Sequence, residues 1–443
     1  RYYLDEAAQS PETAAALAEI RKQYADISPE EIACIDPCSG SGHVLVYMFE
    51  VLLQIYQSCG YAVRDAVRNI VEKNLYGLDL DERAAQLSYF AVMMVACRYD
   101  KRFLTRNIQP HIYPIRESNN VDPHLVEFFA NGNEELESAI NTILAEMTDA
   151  KEYGSLIKIS VKDFAPLYAR FAEIENGGEL TRDSALETLL PIVRCADLLS
   201  RQYDAVVTNP PYMGGSGMDK TLSDFVKKNY PDSKADLFAC FIERCGTLAN
   251  ERGFFGMITQ QAWMFLSSYE NLRKKLSLQE TVNMAHLGAR AFDEIGGEVV
   301  QTTAFVKRQT KISGYKGTYV RLIGINGEQE KAESFLSGQN RYIADSDNFA
   351  KIPGSPVAYW VSENVYSLFN QISLNEYFCV KAGICTGDNE KFILNWAEVD
   401  FSQSSVFNKK FKYTPHNKGG EYRKWYGLSL IHISEPTRPR LIS

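Results

Sequence analysis

The sequence predicts an α/β fold: a mostly parallel sheet with helices on both faces, interrupted by a helical insertion and followed by the start of a second, α+β domain. Three observations carry this reading. Short apolar segments alternate with segments of helical apolar spacing, the rhythm of strand–helix–strand units that build parallel sheets. Residues 100–200 break that rhythm with acidic helical stretches and few strand signals. After about residue 354 the text turns aromatic and rich in Gly and Asn.

The elements follow in order. Residues 14–24 have helical spacing. An apolar strand over 32–36 runs into a glycine loop. Residues 44–56 read as a helix, with Leu45, Met48, Phe49, Leu52, Leu53 and Tyr56 on one face. A second strand is expected over 74–79 and its helix over 82–96, with Asp81 as the helix cap. Inside the insertion, 133–147 and 177–194 are helical. The rhythm returns with a strand over 203–208 and a helix over 236–249, whose Leu237, Cys240, Phe241, Cys245 and Leu248 share a face. Further strands are expected over 254–259, 281–286 and 302–307, and 314–326 is strand-rich. The sheet domain is read as 1–353 and a partial second domain as 354–428. Residues 429–443 (SLIHISEPTRPRLIS) break abruptly from the preceding text and read as an artefactual tail outside the fold.

Composition excludes several classes. Of 443 residues, 45% are hydrophobic and 23% charged, the balance of a globular protein. The longest clean apolar run, 90–97, falls well short of the about 18 residues that a membrane helix needs, so no membrane association is expected. The opening residues show no basic, apolar, small-residue pattern, so no leader is expected there; the sequence begins with Arg1 and not Met. Nine Cys show no paired CxxC spacing, which argues against a disulfide framework and a zinc ribbon. They read as reduced thiols of a cytoplasmic protein, and no metal is expected. The net charge is −9, unevenly spread: residues 1–200 carry 18 basic and 31 acidic groups, and residues 201–443 carry 29 and 25. Lys409, Lys410, Lys412, Lys418, Arg423 and Lys424 share their stretch with the single acid Glu421. That permits a polyanionic partner; a solvated surface run is the plainer alternative.

Three motifs carry chemistry. Asp36-Pro37-Cys38-Ser39-Gly40-Ser41-Gly42 joins the first strand to a helix. Glycines allow a ligand close to backbone N–H groups, and a helix start favours negative charge. The dinucleotide fingerprint wants a third Gly where Leu45 stands, so a pyrophosphate cofactor fits less well. An acid at the strand end suits a cofactor with a positively charged amino group and a carboxylate, as in S-adenosylmethionine. Asp79, at the end of the second strand, is placed for ribose hydroxyls, with Leu80 packing on the adenine. Asp163, followed by Phe164, is a further candidate at a third strand end, touching the cofactor adenine.

The decisive motif is Asn209-Pro210-Pro211-Tyr212, a strand that stops at two prolines. The exocyclic amine of a nucleobase is poorly nucleophilic because its lone pair is delocalised. Hydrogen bonds from its two N–H groups to the Asn209 side-chain oxygen and the Pro210 carbonyl draw the lone pair out of conjugation. Tyr212 offers a ring to stack on the base. Gly214, Gly215 and Gly217 read as a mobile loop. His43 and Cys38 have no place in this chemistry and read as a helix-start residue and a loop filler.

Taken together, these motifs resemble the class I S-adenosylmethionine-dependent methyltransferases that modify adenine N6 in DNA, which implies a Rossmann-like class I methyltransferase sheet. The passages DPCSGSGHVLVY, NPPYMGG, ADLFACFIERCGTLANERGFFGMITQQAWMF and GGEVVQTTAFV are similar to the PglX family of BREX phage-defence systems. AGICTGDNEKFI and NKGGEYRKWYG resemble the entry to that family's target-recognition region. The resemblance implies S-adenosylmethionine as cofactor, double-stranded DNA as substrate, and other phage-defence proteins as partners. It also implies an internal fragment, because the family's N-terminal region and the rest of its recognition region are absent. Three alternatives stay open: the core of a type IIG restriction–modification enzyme, a protein glutamine-N5 methyltransferase, and a catalytically silent DNA-binding scaffold.

Overall fold

The computed structural model of the chain describes residues 4–177, 181–291, 300–372, 374–378, 391, 393–405, 412–419 and 429–434. It forms two compact units, Arg1–Asn370 and Gln371–Ser443.

The first unit is built on the expected Rossmann-like sheet. A first helix, α1 (Pro11–Lys22), starts where Ser10 accepts from the Thr13 N–H and Pro11 stands in the first turn. Strand β1 (Cys34–Asp36) leads into α2 (His43–Ser58), then α3 (Val63–Asn69) and β2 (Leu75–Asp79). Asp81 caps α4 (Glu82–Tyr99), accepting from the Arg83 N–H as the sequence suggests. Strand β3 (His111–Pro114) was not expected; its four residues end in Pro and show no alternation. The insertion follows as α5 (Pro123–Ala130), α6 (Glu134–Glu146), α7 (Ala150–Tyr153), α8 (Ala165–Asn176) and α9 (Arg182–Ser200). Strand β4 (Tyr203–Thr208) is followed by α10 (Lys220–Asn229), α11 (Leu237–Leu248), β5 (Ala249–Gln260), α12 (Glu270–Leu276), β6 (Glu280–Gly288), β7 (Thr302–Arg308), β8 (Lys316–Arg321), α13 (Glu328–Leu336) and β9 (Arg341–Asp345).

The nine strands lie in the order β3-β2-β1-β4-β5-β7-β6-β8-β9. Strands β1 to β5 are mutually parallel and β7 runs antiparallel to β5. The order reverses between β1 and β4, and such switch points open a crevice at the carboxyl ends of the strands. Both sheet faces are covered, as the strand pleat requires. Cys34 and Leu75 join the cluster formed with α2, α3 and α4. Their neighbours Ile35 and Tyr76 join the cluster formed with the insertion helices and α11. Gly77 lets α2 come close: a Cβ there would sit 2.8 Å from Leu45 Cδ1.

The first unit continues past residue 353, because Val357, Tyr359 and Tyr366 are buried in its core. Tyr359 stacks on Tyr319 of β8, ring centroids 4.9 Å apart. Its hydroxyl meets Nδ1 of the buried His286 at 2.9 Å, whose Nε2 meets the Gln261 side-chain oxygen. In the second unit β10 (Ile393–Asn395), β11 (Thr414–Gly419) and β12 (Ser429–Ser434) form an antiparallel sheet with β12 central. Residues 429–434 of the expected tail are therefore a paired strand. Among the described residues, no helix is long and apolar enough to cross a membrane.

Burial, with the nearby charges of Arg321 and Lys331, pushes the His286 pKa down to about 4. The unfolded chain takes up this proton first as pH falls. The contribution of His286 to stability is therefore intact above about pH 6.5 and lost between there and about pH 4. His286→Gln is expected to flatten the acid-side fall in unfolding free energy by up to about 3 kcal/mol. Urea unfolding of both forms at pH 7 and pH 4.5 checks this; parallel losses in both would contradict it.

Candidate functional site

Two loops meet at the switch point. The first leaves β1 at Asp36, which is 1% exposed. Its carboxylate accepts from the Thr208 hydroxyl at 2.7 Å and from the Cys38 N–H at 3.1 Å. Burial raises its pKa to about 7, against those two bonds, and the Asp79 charge adds to the rise. The loop then folds back over β2: Ser39 N–H donates to the Leu78 carbonyl at 2.9 Å, and Gly40 N–H donates to Asp79 Oδ2 at 2.7 Å. The other Asp79 oxygen accepts from the Asp81 N–H at 2.9 Å. Each carboxylate oxygen keeps a lone pair for a further donor. Gly42 precedes α2 at φ +86° and, having no side chain, gives the first-turn N–H groups of α2 no cap. The Ser39 hydroxyl is buried without a partner among the described residues. A Cβ on Gly40 would meet nothing within 4 Å, and Leu80 is half exposed beside the loop. This is an open cradle with a helix start, an acid and an apolar face. Those features suit a ligand carrying a carboxylate, vicinal hydroxyls and an adenine.

The second loop leaves β4 at Thr208, whose hydroxyl is the one on Asp36. Asn209 is exposed, and Pro210 is buried behind it. The Tyr212 hydroxyl donates to Asn209 Oδ1 at 3.2 Å or to the Ile258 carbonyl at 3.3 Å. Its ring stands edge-on to Phe238, centroids 6.1 Å apart. Burial and the nearby Asp236 push the Tyr212 pKa up to about 12, so it stays a protonated donor at neutral pH. Asp236, the cap of α11, accepts from the Met213 N–H at 3.0 Å. In the glycine stretch, Gly215 N–H donates to the Ala235 carbonyl at 3.0 Å and Gly217 N–H to the Gly214 carbonyl at 2.8 Å. An apolar groove of about 600 Å³ reaches Asn209 from one face of the sheet, between Val207, Met257, Val306 and Phe335. Thr208 and Val44, in the first turn of α2, also line it, so the groove adjoins both loops.

Asp36, Pro37, Cys38, Ser39, Gly40, Gly42, Asp79 and Leu80 thus lie around one cradle, and Asn209 to Tyr212 are joined to it through Thr208. Asp163 does not fit the strand-end position expected for it. The third parallel strand is β3, and Asp163 lies exposed before α8, its carboxylate accepting from the Ala165 N–H at 3.0 Å. His43 is exposed at the start of α2, its Nδ1 2.7 Å from the Ser41 hydroxyl. Of the basic residues singled out for DNA, Lys412 is exposed and Lys418 lies in β11. Lys409, Lys410, Arg423 and Lys424 lie outside the described residues. Thr208 and Asp236 were missed. Only Asp236 had a local signal, as the polar residue opening a predicted helix.

Residues 73–290 match the family described as Eco57I restriction-modification methylase. The chain is 42% identical over 418 residues to the adenine-specific methyltransferase PglX of Lacticaseibacillus casei (strain Zhang), covering 90% of this chain and 35% of that protein. It is 40% identical over 454 residues to the adenine-specific methyltransferase BrxX of Escherichia coli O9:H4 (strain HS), covering 96% and 37%. The chain therefore spans little more than a third of the length of these curated relatives. A solved structure of a nuclease-deletion mutant of the Type ISP restriction-modification enzyme LlaGI, in complex with a DNA substrate mimic, is similar at a TM-score of 0.45 and 12% identity, over 74% of this chain and 25% of that one. The resemblance read from the motifs is borne out by the two methyltransferase matches.

The two loop glycines differ in a testable way. Gly42 has φ +86° and its Cβ would sit 2.8 Å from Ser88 Cα, whereas Gly40 has φ +51° and open space. Gly40→Ala is expected to cost about 1 kcal/mol, from backbone strain alone, and Gly42→Ala roughly 1–3 kcal/mol more. Thermal or urea unfolding of the two variants decides; equal losses would contradict the close approach of α2 to α4.

Proposed function

We propose that this chain, a homologue of the PglX and BrxX adenine-specific methyltransferases over most of its own length, is the catalytic core of an S-adenosylmethionine-dependent DNA methyltransferase. On this reading it acts on adenine N6 in double-stranded DNA, in phage defence. The observation that carries the proposal is the buried bond from Thr208 to Asp36. It joins the Asn-Pro-Pro-Tyr loop to the cradle where the order of the parallel strands reverses, between β1 and β4.

S-adenosylmethionine supplies an electrophilic methyl group. In the proposed site, Asp36 faces its amino group and the α2 start its carboxylate. Asp79 accepts from its ribose hydroxyls, and Leu80 packs on its adenine. The cradle fits such a group because Gly40 leaves room, Gly42 puts no side-chain cap on the first-turn N–H groups of α2, and Asp79 keeps lone pairs free. Asn209 Oδ1 and the Pro210 carbonyl take the two N–H groups of the target amine. Tyr212, through its hydroxyl on Asn209, holds that amide in place while its ring supports the base. A base paired in a duplex cannot reach this loop, so the target adenine turns out of the helix. Catalysis then rests on positioning and electrostatics, with no covalent enzyme intermediate.

The direct test is transfer of labelled methyl from S-adenosylmethionine to adenine-containing duplex DNA and to a glutamine-bearing protein, side by side. Label in the DNA is expected; label in the protein alone would overturn the reading. Asp79→Ala is expected to weaken cofactor binding by roughly 1.5–3 kcal/mol in calorimetry. Asn209→Ala should abolish transfer and leave cofactor affinity nearly unchanged. Tyr212→Phe should lose several-fold in rate, and Tyr212→Ala should also lose the roughly 1–3 kcal/mol of base stacking. Equal rates for the Phe and Ala variants would remove Tyr212 from the base site.

A further inference from the structure

One short stretch of the insertion touches the cradle on one side and α10 with the residue after it on the other. Ser155 is 2% exposed, and its hydroxyl donates to the Pro37 carbonyl of the cradle loop at 2.5 Å. Its own carbonyl accepts from Arg244 Nε at 2.9 Å. Gly154, at φ +57°, lies against Leu80: a Cβ there would be 4.0 Å from Leu80 Cδ1. On the other side, the Tyr153 ring stacks on Phe225 of α10 at 3.9 Å and 10°. The Tyr230 hydroxyl donates to the Leu156 carbonyl at 2.6 Å.

Arg244 is 4% exposed in the middle of α11. Besides Ser155 it reaches the Leu199 carbonyl at 2.8 Å and the Thr247 hydroxyl at 3.3 Å. A buried guanidinium is costly unless its N–H groups are bonded. Here the named acceptors are backbone carbonyls and a hydroxyl, so the side chain acts as a brace between segments. The same helix begins at Asp236, which holds Met213 directly after Tyr212. Helix α11 therefore grips the acceptor loop at its first turn and, through Arg244 and Ser155, the donor loop two turns later.

We propose that Ser155 is a positioning residue for the methyl-donor loop: its hydroxyl on Pro37 and its carbonyl on Arg244 fix that loop to the helix that also holds the target-amine loop. The insertion is thus a working part of the cofactor site, and Arg244 acts through Ser155. This rests on the methyltransferase reading above. No residue of the stretch needs to touch the methyl group; its task is to keep the two loops at a fixed separation, on which in-line transfer depends steeply.

The test compares the 443-residue chain with Ser155→Ala, Arg244→Lys, their combination, and Ser138→Ala, an exposed insertion serine, as control. Titration calorimetry with S-adenosylmethionine is the first readout. Ser155→Ala and Arg244→Lys are each expected to weaken binding by up to about tenfold, and the control to change nothing. The combined variant should lose less than the sum, because both changes break one chain of contacts. Duplex DNA affinity, measured separately, should hold in all variants, a split that general destabilisation would not produce. Should Ser155→Ala fail to fold, Arg244→Lys carries the same comparison. Cofactor affinity unchanged in both single variants, or affinities for cofactor and DNA falling together, would overturn the proposal. No cofactor binding by the unaltered chain would instead overturn the methyltransferase reading.

Discussion

The site depends on the need of one buried carboxylate for donors. Asp36 is almost wholly removed from solvent, and a carboxylate there is costly unless hydrogen bonds compensate. It finds them in the Thr208 hydroxyl and the Cys38 N–H. The first draws the end of β4 to the end of β1, across the point where the sheet order reverses. The second turns the chain sharply after the strand and starts the glycine loop. Two segments 172 residues apart are set side by side by this one interaction. Its pKa near 7 means that the incoming positive charge of a cofactor amino group would favour the ionised form, so ligand and carboxylate stabilise each other.

Each loop has a second clamp of the same kind. Asp79 takes the Gly40 N–H, and Asp236 takes the Met213 N–H. In both cases an acid at the end of a strand or the start of a helix binds a backbone amide of the loop beside it. Backbone amides do not change rotamer, so these clamps fix the main chain and leave the exposed groups, Asn209 and the α2 start, to meet ligands. On the proposed mechanism, reaction by positioning requires this stiffness.

The placing of the candidate residues at strand ends was legible in the sequence, and their long-range support was not. Asp36, Gly40, Gly42, Asp79 and the Asn209–Tyr212 loop each lie within a few residues of a strand end, where periodicity and turn residues give them away. Strand β4 and helix α11 were located to within a residue for the same reason. Ser155 and Arg244 could not be read in this way. Their partners lie 118 and 89 residues off, and a serine after a glycine looks like any turn. Asp163 misled because an acid before an aromatic resembles a strand end, whereas its side chain accepts from the Ala165 N–H where α8 begins. Strand β3 was too short and too close to proline to show a pattern. The change of texture near residue 354 reflected aromatic packing onto β8 and His286, which keeps that stretch within the first unit.

The central claim is that the Asn209 loop activates the exocyclic amine of adenine. Cytosine also carries an exocyclic amine, so identifying the product is the sharpest test. Duplex DNA free of prior methylation should be incubated with the protein and S-adenosylmethionine, digested to nucleosides, and resolved by mass spectrometry. N6-methyldeoxyadenosine is expected, and Asn209→Ala should remove it. A product methylated on cytosine N4, or N6-methyldeoxyadenosine that persists in Asn209→Ala, would contradict the account.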